Sequence, residues 1–460
     1  MVRNLPLLCF VLAACLVTGS AVAAPGDPEL DAAMDAQDTD LICARMHALA
    51  KADPVLAVQA IPAAYKKMER ASEHDFYHGD RYRIFKQAIQ ALAKVKGKKA
   101  LRVIRKIFEA SSSWEERFLI LHASLQHPEL DAVNYALTGV KGKSSQLVAS
   151  SARVLGNCQD TVALDPLVAA MKKWEKREVI EEVHKGRRVL MKSAPGTAWV
   201  ACRDALQRLT GKGLHSASEF KNYIKAHRGK IDPKRVAETL SDDAPEKRTG
   251  VGLFGLDLTG YRLIFILDIS GSMEASDPLT PEQLEKLRRR TGVPGDAAEK
   301  ELMNERKRIR RAKAELVKVI NALPEDRRFN VITFSTEVTS WKEAMVTADG
   351  TAKKSAVEFV TGLKATGITV TDDALARAFE DPLVDTVYLI TDGAPTHVGS
   401  QGRQGLPPDS RRLMGRILAE MKAANYLRQV RIFTLGFQGA YIQFLKQLSE
   451  ENFGLYHTIK

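Results

Sequence analysis

The stretch Leu263-Ile-Phe-Ile-Leu267-Asp268-Ile-Ser270-Gly271-Ser272-Met273 decides how this chain is read. A short apolar run ending in an acid predicts a buried parallel strand whose carboxyl edge presents Asp268, and Gly271 permits the turn that follows. That turn offers one carboxylate and two hydroxyls, all oxygen ligands suited to a hard divalent ion such as Mg2+. Alone, the same pattern also suits an ordinary Ser-Gly-Ser loop after a strand.

Downstream, strands and helices alternate. Strands are predicted at Phe329 to Phe334, Val338 to Trp341, Thr386 to Thr391, Val430 to Gly436 and Gly454 to Ile459, with helices at about Lys307 to Leu323, Lys353 to Leu363, Asp372 to Phe379, Arg411 to Ala424 and Ala440 to Glu450. Upstream, Leu253 to Leu258 and Leu263 to Asp268 flank Thr259-Gly260-Tyr261-Arg262, which predicts an entry hairpin. Such alternation means an α/β doubly wound, Rossmann-like sheet with its ligand site at the carboxyl edge of the strands. Two more segments should meet Asp268 there. Thr366-Gly367-Ile-Thr369 is a glycine turn with a hydroxyl before a helix, and Leu389-Ile-Thr-Asp392-Gly393 is a strand ending in an acid.

With these three loops in order, residues 250–460 resemble the von Willebrand factor A-type (VWA) domain and its metal-ion-dependent adhesion site. The resemblance assigns the first-loop role to Asp268, Ser270 and Ser272, the second-loop role to Thr369 and the third-loop role to Asp392. It implies one divalent cation, Mg2+ with Mn2+ or Ca2+ as alternatives, bound directly by Ser270 and Ser272 and mainly through water by Asp268 and Asp392. It further implies that an outside Asp or Glu carboxylate fills the open position, and that Thr369 approaches or leaves the ion as affinity changes. One departure is an insertion at about 274–306, rich in charge and containing Pro278, Pro281 and Pro294, which predicts a long polar loop beside the site.

Two rival readings stay open at this stage. A metal-dependent phosphohydrolase of the haloacid dehalogenase type also places an acid after the first strand, but it needs Asp-x-Asp, and Ser270 stands where the proton-transferring acid belongs. The other is an inert scaffold that binds no metal. Gly139-Val-Lys-Gly142-Lys143-Ser144 has its glycines too close for a phosphate loop and sits between predicted helices. His74-Asp75-Phe-Tyr-His78 lacks the Glu of a zinc-protease motif and is expected in a turn.

Residues 24–229 read as an all-α helical-repeat domain, an α-solenoid of short helices. Predicted helices are Leu41 to Ala50, Val55 to Met68, Arg81 to Lys94, Ala100 to Ala110, Glu115 to Gln126, Gln146 to Gly156 and Leu164 to Trp174, with little sign of strands. The unit Ala152-Arg-Val-Leu155-Gly156-Asn-Cys-Gln-Asp160 through Leu164, Leu167 and Met171 resembles a HEAT-type repeat. Leu206 to Leu209 with Thr210-Gly211 is similar to the end of another. Residues 230–249 are polar and predict a linker.

At the start, Arg3 precedes an apolar run from Leu5 to Val17, and Ala21-Val22-Ala23 is a small-residue cleavage signal, so residues 1–23 predict a signal peptide. Leu12-Ala13-Ala14-Cys15 also resembles a bacterial lipobox, which would lipidate Cys15. Either way the expectation is an exported protein of the periplasm, cell envelope or extracellular space. Beyond that segment only Cys43, Cys158 and Cys202 remain, too few and too widely spaced for a disulfide framework. A net charge of +12 would suit a nucleic acid, which an exported protein rarely meets; an anionic envelope surface or an acidic protein is the expected partner. The basic runs, among them Arg306-Lys-Arg308-Ile-Arg-Arg311, read as solvated helix faces.

Overall fold

The computed structural model describes residues 26–459, apart from 73, 176–178, 185–186, 193–195, 241–251, 279–302, 394 and 397–409. The export segment with Cys15, residues 241–249 of the polar linker and the greater part of the charged insertion lie outside the described residues. Among the described residues no helix is long and apolar enough to cross a membrane.

The amino-terminal part is helical: α1 (Pro28–Asp35), α2 (Thr39–Ala52), α3 (Pro54–Arg70), α4 (His78–Ala93), α5 (Lys98–Ala110), α6 (Trp114–Ser124), α7 (Ala132–Gly139), α8 (Ser145–Asn157), α9 (Leu164–Trp174), α10 (Thr197–Thr210), α11 (Ala217–His227) and α12 (Pro233–Leu240). Local chemistry sets their ends. The carboxylates of Asp27, Asp38, Asp53 and Asp131 and the hydroxyls of Ser113, Ser144 and Ser216 accept from first-turn backbone N–H groups. Each such cap stabilises its helix by about 1 kcal/mol. Gly211 ends α10 at φ 66°, the left-handed conformation that glycine adopts without strain.

Each helix buries one face on its neighbours: α2 packs on α3 and α4, α4 on α6, α6 on α7 and α8, and α8 on α10. Where α8 meets α10, a Cβ added at Gly156 would stand 2.9 Å from Ala205 Cα, so the Leu155-Gly156 pair marks a close helix crossing. The expected linker is shorter than its composition suggested, because α12 packs back on α10 with Val236 beside Gly211. Strands also occur where almost none were expected: β1 (Val179–His184) pairs antiparallel with β2 (Arg187–Lys192) between α9 and α10.

His122 supplies a pH handle on this part. Its ring lies 4.5 Å from Phe118 and 5.3 Å from Phe85, with Nε2 3.1 Å from Ser150 Oγ, and burial pushes its pKa down to about 4. A histidine whose folded pKa lies below its unfolded value stabilises the fold fully above the unfolded value, near 6.5, and the contribution is lost as pH falls. Measured by urea unfolding, the parent should therefore lose up to about 3 kcal/mol relative to His122→Gln as pH falls from about 6.5 to 4.

The carboxyl-terminal part opens with β3 (Gly252–Leu253) and β4 (Leu256–Asp257), then β5 (Arg262–Asp268). The entry hairpin forms one step earlier than expected. Phe254 and Gly255 adopt φ 52° and 85°, closing β3 on β4, and the expected pairing of Leu253–Leu258 with β5 does not occur. There follow α13 (Arg308–Ala322), β6 (Arg328–Phe334), β7 (Val338–Ser340), β8 (Val346–Thr347), α14 (Gly350–Gly362), α15 (Thr371–Glu380), β9 (Thr386–Thr391), α16 (Ser410–Asn425), β10 (Arg431–Gly436), α17 (Ile442–Glu451) and β11 (Tyr456–Thr458). The main sheet runs β11-β10-β9-β5-β6-β7, with β8 also on β6. From β11 to β6 neighbouring strands are parallel, while β7 and β8 join antiparallel.

Alternate residues of β5 feed two cores. Leu263, Phe265 and Leu267 pack with Ile309, Leu316 and Val360 of α13 and α14; Ile264 and Ile266 pack with Leu375, Ile417 and Leu445 of α15, α16 and α17. Every residue of β5 is buried, as a strand covered on both faces must be, and each large apolar side chain contributes roughly 1.5–3 kcal/mol. The chain continues from β5 to one side as β6, and β9 lies on the other side, so a crevice opens at the carboxyl end of β5.

The helical part covers the opposite, amino edge of this sheet. Tyr426, just after α16, sits 4.9 Å from Phe85 and 5.5 Å from Tyr82, and its hydroxyl donates to Glu69. Arg153 of α8 donates to the Gln429 side chain and carbonyl at 3.1 and 3.0 Å, and Gln429 donates to Gln146 O and Ser150 Oγ. At the first residue of β10, Arg431 reaches Asp204 of α10 at 2.9 Å. Tyr261, just before β5, meets Trp199 edge-on at 5.4 Å. The carboxyl edge points away from all of these contacts.

Candidate metal centre

Asp268 is the last residue of β5 and is fully buried. Its Oδ1 accepts from Ser270 N at 2.8 Å and its Oδ2 from Thr391 Oγ1 at 2.6 Å, so both carboxylate oxygens are oriented. The chain then turns through the short 3-10 helix Gly271–Glu274, bringing Ser270 Oγ and Ser272 Oγ within 3.0 Å of each other. Ser272 Oγ donates to Asp392 Oδ1 at 2.7 Å, where Asp392 follows the end of β9.

The second loop is pinned to the first. Gly367 takes φ 82°, and its carbonyl accepts from Gly271 N at 3.0 Å; a Cβ at 367 would strike Thr336 Oγ1 at 2.4 Å, which reserves the position for glycine. Thr369 is buried, with its N–H on Thr396 Oγ1 and its carbonyl accepting from Thr396 N. A Cβ placed on Gly393 would lie 3.9 Å from both Ser272 Oγ and Thr369 Oγ1, so these hydroxyls flank the bare glycine that follows Asp392. All five residues expected at the site are thus brought to one edge, four joined by hydrogen bonds and Thr369 across Gly393.

Burial, with the charge of Asp392 adding to it, pushes the Asp268 carboxyl up to about 6, although the bonds from Ser270 and Thr391 oppose the shift. Among the described residues no cluster of three or more His, Cys, Asp or Glu could hold a metal. An ion here would be held by two carboxylates and three hydroxyls, an all-oxygen set appropriate to Mg2+, Mn2+ or Ca2+ and unsuited to thiophilic metals.

Three contributors escaped the sequence reading. Thr391, inside β9, orients Asp268. Arg308 and Arg311, expected on a solvated helix face, are only 16% and 18% exposed in their side chains. Arg308 donates Nη1 to Asp392 Oδ2 at 2.7 Å, Nε to Asp277 Oδ1 at 3.0 Å and Nη2 to Gln438 O at 2.6 Å, while Arg311 pairs with the other oxygen of Asp277. The basic run hid them because charge alone does not reveal which cations face an acid. Asp392 is thus shared between Ser272 on one oxygen and the Arg308 guanidinium on the other.

Residues 303–458 match the family model of the von Willebrand factor type A domain, and the chain carries a domain of this family in its carboxyl-terminal part. The match begins at residue 303, near the end of the insertion, and leaves out β5 with Asp268, Ser270 and Ser272, which lies between β9 and β6 in the sheet. Relatives include inter-alpha-trypsin inhibitor heavy chain H4 of Bos taurus, 27% identical over 33% of this chain and 17% of the relative, and that of Homo sapiens, 28% identical over 33% and 16%. The von Willebrand factor A domain-containing protein 3A of Homo sapiens is 28% identical over 28% of this chain and 10% of its own. The chain therefore spans less than a fifth of the length of these relatives. Among solved structures, a von Willebrand factor type A protein from Catenulispora acidiphila is 17% identical over 44% of this chain and 39% of that one, with a TM-score of 0.31. BatB from Bacteroides thetaiotaomicron is 14% identical over 44% and 91%, with a TM-score of 0.28.

Proposed function

We propose that this is a binding protein rather than an enzyme. A divalent cation, Mg2+ with Mn2+ or Ca2+ as alternatives, is held by Asp268, Ser270, Ser272, Thr369 and Asp392, and the ion offers an open coordination position to the carboxylate of an Asp or Glu on a protein partner. The observation that carries this reading is the convergence of those five side chains at the carboxyl edge, with Ser272 bonded to Asp392 and Thr369 across Gly393. Asp268 and Asp392 supply charge, the three hydroxyls supply neutral oxygen ligands, and Arg308 keeps Asp392 in place. Hydrolysis is disfavoured because the first loop carries one carboxylate and the position needed for a proton-transferring acid is Ser270.

In this reading the helical part, of HEAT-like repeat type, is a platform fixed to the amino edge, and the protein acts as an exported scaffold in the periplasm, cell envelope or extracellular space. Its positive charge suits anionic envelope surfaces. The expected result is retention of the full chain on a glutamate-bearing resin in Mg2+, release by a chelator, and no retention on the glutamine analogue. Retention that ignores the chelator would remove the basis for the proposal.

A further inference from the structure

The carboxyl edge carries apolar groups as well as the charged centre, and they stand on opposite sides of it. Ile368 precedes Thr369 and is 40% exposed; its N–H reaches Thr336 Oγ1 at 3.4 Å, which places it above the end of β6. Tyr441 and Ile442, 45% and 51% exposed, begin α17 directly after the loop from β10. The same loop supplies Gln438 O to Arg308, and Arg308 holds Asp392, so it borders the site. Across the sheet the order is β10-β9-β5-β6, with Asp268 and Asp392 at the ends of the two middle strands.

Exposure alone does not set them apart, since Leu41, Tyr77, Leu125 and others are as exposed elsewhere; their place on either side of the charged centre does, because apolar groups around a polar anchor are the usual make-up of a recognition site. Three strand spacings of about 4.8 Å separate β10 from β6, roughly 14 Å. An extended chain advances about 3.3 Å per residue, so about four residues bridge that span.

Resting on the metal-capture reading, we propose that the site recognises an extended segment whose central Asp or Glu is flanked, two residues away on each side, by an apolar side chain. One apolar residue packs on Ile368 and the other on Tyr441 and Ile442, while the carboxylate goes to the cationic centre. The spacing follows from strand geometry, because positions two apart on an extended segment share a face.

The test uses the full chain in saturating Mg2+ and three fluorescent peptides: Leu-Gly-Glu-Gly-Leu, Gly-Gly-Glu-Gly-Gly and Leu-Gly-Gln-Gly-Leu. The first should bind roughly tenfold more tightly than the second, the gain expected from partly burying two leucines, and the third should not bind. Ile368→Ser and Ile442→Ser, both at exposed positions, should each reduce the leucine advantage while leaving calorimetric Mg2+ binding unchanged. If Mg2+ binds and the two Glu peptides bind equally, the flanking inference is overturned. Absence of Mg2+ binding, failure of both Glu peptides to bind, or equal binding of the Gln peptide would instead overturn the metal-capture reading beneath it.

Discussion

Asp204→Ala should destabilise the folded chain by about 3 kcal/mol. Asp204 Oδ1 accepts from Arg203 at 2.8 Å and its Oδ2 from Arg431 at 2.9 Å, and those two arginines are 4% and 2% exposed. Burial by itself would raise the Asp204 carboxyl, but the charges of Arg431 and Arg203 and the bond from Arg203 outweigh it and hold the group below the ordinary carboxylate range. Removing the acid leaves two buried guanidinium groups short of a partner, a loss that runs to roughly 3–5 kcal/mol; the Asp204 side chain is 31% exposed, which puts the expectation at the lower end. Arg431 also donates to Thr386 Oγ1 at 2.8 Å, and Asp385 Oδ2 accepts from the backbone of Tyr261 and Arg262, so the defect reaches the starts of β5, β9 and β10 together. Urea unfolding measures it. Asp165→Ala, which breaks a surface pair with Arg228, is the control and should cost less than about 1 kcal/mol. Equal effects for the two variants would show that the interface charges do not hold the two parts together.

Gly454→Ala should be comparably severe for a steric reason. A Cβ at this position would stand 1.9 Å from Ile432 O and 2.5 Å from Ile432 C, both backbone atoms that no rotamer change can move. The same backbone is tied on both sides, with Gly454 N on Ser449 O, Ile432 N on Asn452 O and Thr434 N on Leu455 O. Relief therefore requires β11 to shift along or away from β10, breaking the pairing of Thr434 with Tyr456 and Leu435 with His457. A cost of about 3 kcal/mol or more is expected, in the range of severe overpacking. Thermal unfolding gives the size of the effect, and amide exchange should locate it on β11. A variant as stable as the parent would mean that the β10–β11 approach is looser than the structure has it.

The sheet was largely legible in the sequence because its strands are buried on both faces and read as apolar runs; β9 matches the expected Thr386–Thr391 to the residue. The five candidate residues stood out for a related reason, since Asp268 ends a strand and the others sit just past a strand end or in a glycine turn, where carboxylates and hydroxyls have no packing purpose. What stayed hidden depended on distance along the chain. Nothing local in Asp204 or Arg431 announces a pair 227 positions apart. Arg308 looks like its neighbours in a basic run until Asp277 and Asp392 are placed beside it. The entry hairpin was displaced because Phe254 adopts a positive φ, a conformation that a bulky side chain does not advertise. Helix α12 was masked by its polar composition, although Val236 gives it one apolar contact at Gly211.

Whether an ion binds at Asp268 is the question on which the functional account turns. Calorimetric titration of the metal-stripped full chain with Mg2+ answers it most directly, with Asp268→Ala titrated beside it and far-ultraviolet circular dichroism confirming that the variant is folded. The account predicts saturable binding of one ion per chain, reduced at least about a hundredfold in the variant, since the loss of an oriented buried carboxylate from a dication site is worth more than about 2.7 kcal/mol. Absence of saturable binding by the parent chain, or equal affinity in a folded Asp268→Ala, would contradict it.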